Sequence, residues 1–380
     1  MPKKRPADER AGGRASKIPS RRRKHLYLVL DDWERGYSIR KLDLSSDSDS
    51  DDVDEANGPD GRTGTELRLP PAVFRLEAPR AHSGLFAAFG TMIVATQLTP
   101  RGTIPMFDVR TRALTFGPRQ EGQPNPCCTD FVQVGDNLYF IDDSCFMMLD
   151  PPPPPPKFAH PYIQIDWTWR GLPVPPFDDC PVSYAVHPDG RTIFFSTQGQ
   201  TKKHTEVATF TFDTVCSQWT RHGAWRLPFR GRGYFDCELN AWVGLSGQPD
   251  NLGHLCTCEV VSADANTTDG HPPPTCKLSK EKLFCVDPAE KHIGATLVYI
   301  GGRSKFCLVQ CIATDDRKGG VWEEVLPECL CYLYRVTTFS LKYDMNGDLR
   351  TVHHRLRSYR LPKIATEYCD HLEKPVAFWM

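Results

Sequence analysis

The chain has 380 residues, of which 40% are hydrophobic and 24% charged, a balance that suits one large or two ordinary globular domains. Its longest apolar runs, such as Phe86 to Ala95, fall short of the roughly 18 residues a membrane-crossing helix needs, and the N-terminus carries no apolar secretory core, so neither a membrane span nor signal-directed export is expected. The formal net charge of −1 conceals two opposed segments, because residues 1–24 hold ten Lys or Arg against two acids while residues 43–60 hold eight Asp or Glu and no base.

Residues 1–24 are too poor in apolar side chains to offset the entropy of ordering, and they read as a disordered basic tail. Lys3, Lys4 and Arg5, then Arg21, Arg22, Arg23 and Lys24, form two basic clusters, a pattern read by nuclear import receptors or drawn to nucleic acid. Leu26–Leu30 and Tyr37–Leu42 read as strands around a turn at Glu34-Arg35-Gly36, with Leu67-Arg68-Leu69-Pro70 as the last segment of this unit. Between them, residues 45–64 form an acidic insert in which Ser46 and Ser48 each have Asp three positions downstream. That spacing makes both serines candidates for acid-directed phosphorylation, which adds about −1.5 to −2 charge per site.

From Phe86 onward one pattern returns: an apolar run, a tight turn and a second apolar run. The turns fall at Gly90, Gly135, Asp189-Gly190, Asn240 and Gly301-Gly302, residues that tolerate the positive φ of turns between twisted strands. A third strand then tends to end in Asp, as at Asp108, Asp150, Asp213 and Asp344. A fourth segment carries an aromatic residue or Leu-Pro. Six prolines at 151–156 interrupt the third unit as a stiff spacer. The first unit lacks one strand, which the segment around Val376–Trp379 is placed to supply. Four strands per unit, repeated about every 50 residues, predict an all-β fold: a β-propeller of six blades of four antiparallel strands over residues 25–365. The C-terminal segment 366–380 then closes the ring against the N-terminal strands. A pair of β-sandwiches is the rival, but it does not predict the same order returning in each unit.

The Gly301-Gly302 run and the Phe212-Asp213-Thr214…Trp219 hairpin resemble the landmarks of kelch repeats. Lys24–Trp33, Lys282–Val309 and Phe339–Asp344 are similar to an uncharacterised kelch-like family of plants, expanded in grasses, that has no established activity. The resemblance implies a propeller and nothing about chemistry. Plant kelch proteins often carry an F-box before the propeller, and the 24 residues ahead of the first strand are too few for that module.

No phosphate loop, dinucleotide turn, nucleophile elbow or zinc-protease helix is present. The 15 cysteines, spread over a long chain without an export signal, read as reduced and mostly buried thiols. Cys256 and Cys258, two apart on a strand, share one face and read as small apolar residues rather than zinc ligands. The acid pairs, including Asp31-Asp32, read as turn formers. No copper constellation of the kind used by kelch-type oxidases can be picked out. The expected function is therefore a non-enzymatic, nuclear or cytosolic scaffold that binds a protein partner through its loops and needs no cofactor. Its contact candidates are Asp31, Asp32, Trp33 and Arg35 at the first turn and Trp167, Trp169 and Arg170 after the prolines, since Trp and Arg dominate interface energies. An enzyme with a loop-built oxidative or hydrolytic site at the channel, and nucleic-acid binding through the basic tail, are the two alternatives.

Overall fold

The computed structural model describes residues 23–44, 66–80, 86–96, 103–118, 129–142, 145–151, 167–178, 180–199, 207–263, 271–284, 287–315, 330–367 and 370–380. Among them the chain is built from antiparallel sheets, and no helix is long and apolar enough to cross a membrane. Strands β1 (Leu26–Trp33), β2 (Gly36–Leu42) and β4 (Ala72–Glu77) form the first sheet. The second holds β5 (Phe86–Phe89), β6 (Met92–Ala95), β7 (Ile104–Asp108) and β8 (Leu114–Gly117), and the third β9 (Asp130–Val134), β10 (Asn137–Ile141), β11 (Phe146–Asp150) and β12 (Thr168–Gly171). The fourth comprises β13 (Ser183–Val186), β14 (Thr192–Thr197), β15 (Ala208–Asp213) and β16 (Gln218–Gly223). The fifth comprises β17 (Gly231–Asp236), β18 (Ala241–Leu245), β19 (His254–Glu259) and β20 (Cys276–Lys282). The sixth, with longer strands, comprises β21 (Glu290–Gly301), β22 (Lys305–Asp315), β23 (Leu330–Tyr343) and β24 (Leu349–Arg360). Short parallel pairings of β13 with β17 and of β20 with β24 merge the last three into one continuous hydrogen-bonded sheet.

Each expected hairpin is present, and the turn glycines Gly90 and Gly135 sit at φ 55° and 56°, where a Cβ would be strained. The fourth segment of the first unit differs from the reading of the sequence. Leu67–Arg68 forms a two-residue strand, β3, which pairs parallel with β24, and the fourth strand of the first sheet is β4, beyond Pro70-Pro71. Proline cannot donate to a ladder, so the chain leaves one sheet before the pair and joins the other after it. The terminal strand β25 (Val376–Trp379) pairs antiparallel with β1, Leu26 opposite Trp379 and Val29 opposite Val376. His25 and Met380 continue this ladder with two backbone hydrogen bonds of 2.7 and 3.1 Å.

Among the described residues, six apolar clusters lie between neighbouring sheets. Tyr27, Val29, Tyr37 and Ile39 meet Phe86, Ile93 and Phe107. Val94 and Met106 meet Leu138 and Leu149. Tyr139 and Phe146 meet Phe195 and Phe212, Phe194 meets Trp242 and Cys256, and Val243 and Leu255 meet Phe306, Leu308 and Phe339. In the last cluster Val309, Cys311 and Tyr334 of the sixth sheet pack on Leu26, Leu28 and Leu30 of the first. Strand β1 therefore buries both faces, odd positions toward the second sheet and even positions toward the sixth. This explains why Leu-Tyr-Leu-Val-Leu is continuously apolar rather than alternating.

The recurrent aspartates close turns. Asp108 accepts backbone N–H groups of Arg110 and Thr111 at 2.7 and 3.0 Å, and Asp213 those of Val215 and Cys216 at 2.8 and 3.1 Å. Asp344 accepts those of Asn346 and Asp348 at 2.9 and 3.0 Å. The fourth-strand tryptophans tie sheets together. Trp169 of the third sheet donates to the Pro118 carbonyl that ends the second (2.9 Å), and Trp219 of the fourth donates to the Pro173 carbonyl that ends the third (2.8 Å). One thiol reading is corrected: Cys180 is disulfide-bonded. Cys256, Cys258, Cys307 and Cys311 are free and buried, as a thiol serving as a small apolar side chain would be.

Candidate functional site

The β1–β2 turn places Trp33 on the surface of the first sheet. Gly36 makes the turn possible: it has φ 146°, and a Cβ there would stand 2.2 Å from the Leu76 carbonyl oxygen. The half-buried Trp33 ring has a guanidinium on each of two neighbours, Arg35 and Arg75, each 5.6 Å from its centroid. Cation–π contact with two guanidiniums holds the indole in one place while leaving part of it open. Arg35 also pairs with Glu77 across the exposed hairpin. The two acids beneath do not close the turn as the sequence suggested. Asp31 is buried and pairs with Arg80, which goes on to Glu367 Oε2 at 2.6 Å. Asp32 accepts from Ser38 Oγ and from Arg40 Nε at 2.8 Å. Both carboxylates are buried and face partly buried guanidiniums, and leaving either unpaired is costly. They brace the platform from below.

Trp167 and Trp169 do not join that surface. They pack against the cluster between the second and third sheets, Trp167 on Phe89 with ring centroids 5.6 Å apart and Trp169 on Phe140 at 6.3 Å. Arg170 is exposed and pairs with Asp150 at 2.9 Å. Arg23 and Lys24 are exposed at the start of the described chain, while Lys3, Lys4, Arg5, Arg21, Arg22, Ser46 and Ser48 lie outside the described residues.

A second polar group, unmarked in the sequence, gathers along the first strands of several sheets. Burial pushes the Asp130 carboxyl, at the start of β9, up to about 6, with Lys374 pulling the other way. Burial also raises the Tyr184 phenol, which senses Arg232, Asp130 and Tyr234. The hydroxyls themselves are used structurally: Tyr184 donates to the Phe131 carbonyl at 3.1 Å and Tyr234 to the Leu297 carbonyl at 3.0 Å, each spanning two sheets. Arg232 lies 4.6 Å from the Tyr234 ring centroid. No local motif announces this group, because Asp130, Tyr184, the Arg232–Tyr234 pair and Lys374 are each more than 40 residues apart in sequence and meet only through sheet order. Arg75 was missed for the same reason, since its approach to Trp33 depends on the β2–β4 register. Among the described residues, no cluster of three or more His, Cys, Asp or Glu could hold a metal ion.

The residues thus define an all-β protein of serial four-stranded sheets in which a half-buried Trp33 is framed by arginines. The chain belongs to the family described as "Protein of unknown function (DUF1668)", which matches residues 23–359. No curated protein matches it. Among solved structures it is similar to hydrazine synthase of Kuenenia stuttgartiensis, at 13% identity and TM-score 0.33 over 74% of this chain and 68% of that one. It is also similar to a provisionally assigned 6-phosphogluconolactonase of Bacteroides fragilis NCTC 9343, at 11% identity and TM-score 0.39 over 94% and 98% of the two chains.

Proposed function

We propose that the protein is a non-enzymatic interaction scaffold: a kelch-like propeller of six blades whose ring is closed by β25, binding a protein partner through the face that carries Trp33, Arg35 and Arg75. The order of the six apolar clusters, which leads from the first sheet through the sixth and back to the first, supports the ring. The observation that carries the binding role is the indole held between two guanidiniums over a braced turn. A preset aromatic and arginine surface loses little freedom on binding. Its positive fringe suits an acidic partner segment. In this reading the basic tail at 1–24 directs nuclear import, and phosphorylation of Ser46 and Ser48 tunes the charge of the acidic insert.

Affinity capture with the full chain and with Trp33→Ala tests the reading. The variant should fold normally by circular dichroism and lose a defined partner set. A partner set identical to that of the intact chain would remove this face from the interface. The Asp130, Arg232 and Lys374 group favours a second reading, a small-molecule or catalytic site along the first strands. In that case Asp130→Asn, rather than Trp33→Ala, should abolish ligand-dependent stabilisation.

A further inference from the structure

Cys258 on β19 and Cys276 on β20 stand directly opposite each other. The Glu259 N–H bonds to the Thr275 carbonyl at 3.0 Å, so Glu259 and Thr275 occupy a hydrogen-bonded position of the antiparallel ladder. The adjacent Cys258–Cys276 position is therefore the non-hydrogen-bonded kind, where facing Cα atoms approach to about 4.5 Å and side chains are nearest. That spacing lies inside the roughly 4.4–6.8 Å a disulfide requires. The two thiols are free, and they differ in access: Cys258 is fully buried and Cys276 is exposed.

The surroundings fix this register. Lys277, next to Cys276, donates to the Gly347 carbonyl at 2.8 Å and lies 4.9 Å from the Tyr343 ring centroid. Tyr343 in turn donates to Thr257 Oγ1 at 3.1 Å, beside Cys258. Both strands are thus anchored to the sixth sheet. Cys276 Sγ also lies 3.3 Å from the Pro274 carbonyl. Contact between the two sulfurs polarises the pair: hydrogen bonding from Cys258 lowers the Cys276 thiol, and the same bond, followed by burial, raises Cys258. Of the two, the exposed sulfur is the more readily ionised, and the thiolate is the reactive form.

We propose that Cys276 is a peroxide-sensitive thiol and Cys258 its resolving partner, so that a hydroperoxide converts the pair into a cross-strand disulfide clamping β19 to β20. In the first step the Cys276 thiolate attacks one peroxide oxygen. A sulfur–oxygen bond forms, the oxygen–oxygen bond breaks, and the departing alkoxide or hydroxide takes up a proton. The sulfur is oxidised by two electrons as the peroxide is reduced. In the second step the Cys258 sulfur attacks the Cys276 sulfenic acid. The sulfur–sulfur bond forms, the sulfur–oxygen bond breaks, and the departing hydroxide combines with the Cys258 proton to leave as water. Two thiols and one peroxide give one disulfide, one water and one alcohol or a second water.

The test uses the reduced full chain treated with hydrogen peroxide and mapped by mass spectrometry without reductant. A linked peptide pair containing Cys258 and Cys276 should appear. In Cys258→Ser the sulfenic acid should persist and be captured by dimedone at Cys276, at least about tenfold faster than at the exposed Cys216 and Cys237. Because position 258 is buried, Cys276→Ser, an exposed and structurally mild change, serves as the second variant and should abolish the linked pair. Dimedone capture at Cys276 no faster than at Cys216 and Cys237 overturns the proposal. So does a wild-type chain whose Cys276 links elsewhere or not at all.

Discussion

At the scale of single residues, carboxyl groups of opposite character sit at the end of a third strand and at the start of a first one. Asp213 is held below the usual carboxylate range: partial burial opposes its charge, but the backbone N–H groups of Cys216 and Val215, with Arg191 nearby, outweigh it. A lowered native value means stability present above the unfolded value near 3.9 and lost as pH falls through the native one. Asp213→Asn should therefore cost about 1 kcal/mol at pH 7, the worth of its turn hydrogen bonds, and progressively less as pH falls below about 4. Asp130 carries the reverse sign. With its value raised to about 6, its contribution worsens as pH climbs from about 4 to 6. Asp130→Asn should accordingly stabilise the protein at pH 7.5, by about 1–2 kcal/mol after allowing for partial exposure, and have no effect at pH 4. Thermal denaturation of both variants across pH checks the two signs together. Asp213 could be read in the sequence, because a strand-ending Asp before a polar turn has a local mechanism. Asp130 could not: burial and the approach of Lys374 come from distant parts of the chain.

At the scale of elements, single side chains add polar links to the apolar clusters between sheets. Trp219 Nε1 spans 46 residues of sequence to reach the Pro173 carbonyl, and its ring packs against Phe146, Phe195 and Phe212. Trp219→Phe keeps most of the apolar contact and removes the donor, leaving the exposed Pro173 carbonyl to water. A loss of about 1 kcal/mol is expected from chemical denaturation, with an unchanged near-native fold. The hairpins could be read from the sequence because their turn glycines and apolar runs are local. Strand β4 was missed because Pro70-Pro71 mask the start of Ala72–Glu77, and the exposed Leu67–Arg68 resembled a strand end more than a bridge to β24. The buried partners of the first turn were equally hidden, since Asp31 meets Arg80 across 49 residues and no periodicity encodes that meeting.

At the scale of the whole molecule, stability depends on contacts between ends that are distant in sequence. β25 covers one edge of β1, and the neighbouring residues seat closely: a Cβ at Gly294 on β21 would lie 2.0 Å from the backbone oxygen of Glu373. Removing residues 376–380 should leave β1 as an open edge next to the cluster of Leu26, Leu28 and Leu30. The truncated protein should melt well below the intact chain and show rising light scattering with concentration, as unpaired edges do. A truncated chain that melts with the intact one would mean that the first sheet holds without its terminal strand.

The pairing of His25 with Met380 also bears on biosynthesis. Strand β1 emerges from the ribosome about 350 residues ahead of β25, since Leu26 precedes Val376 by that distance, and until then it has both faces apolar and one edge lacking its neighbour. Throughout that interval the nascent chain offers a sticky template to other strands, so chaperone capture during translation, rather than the intrinsic speed of any hairpin, is the step on which its yield in the cell should depend.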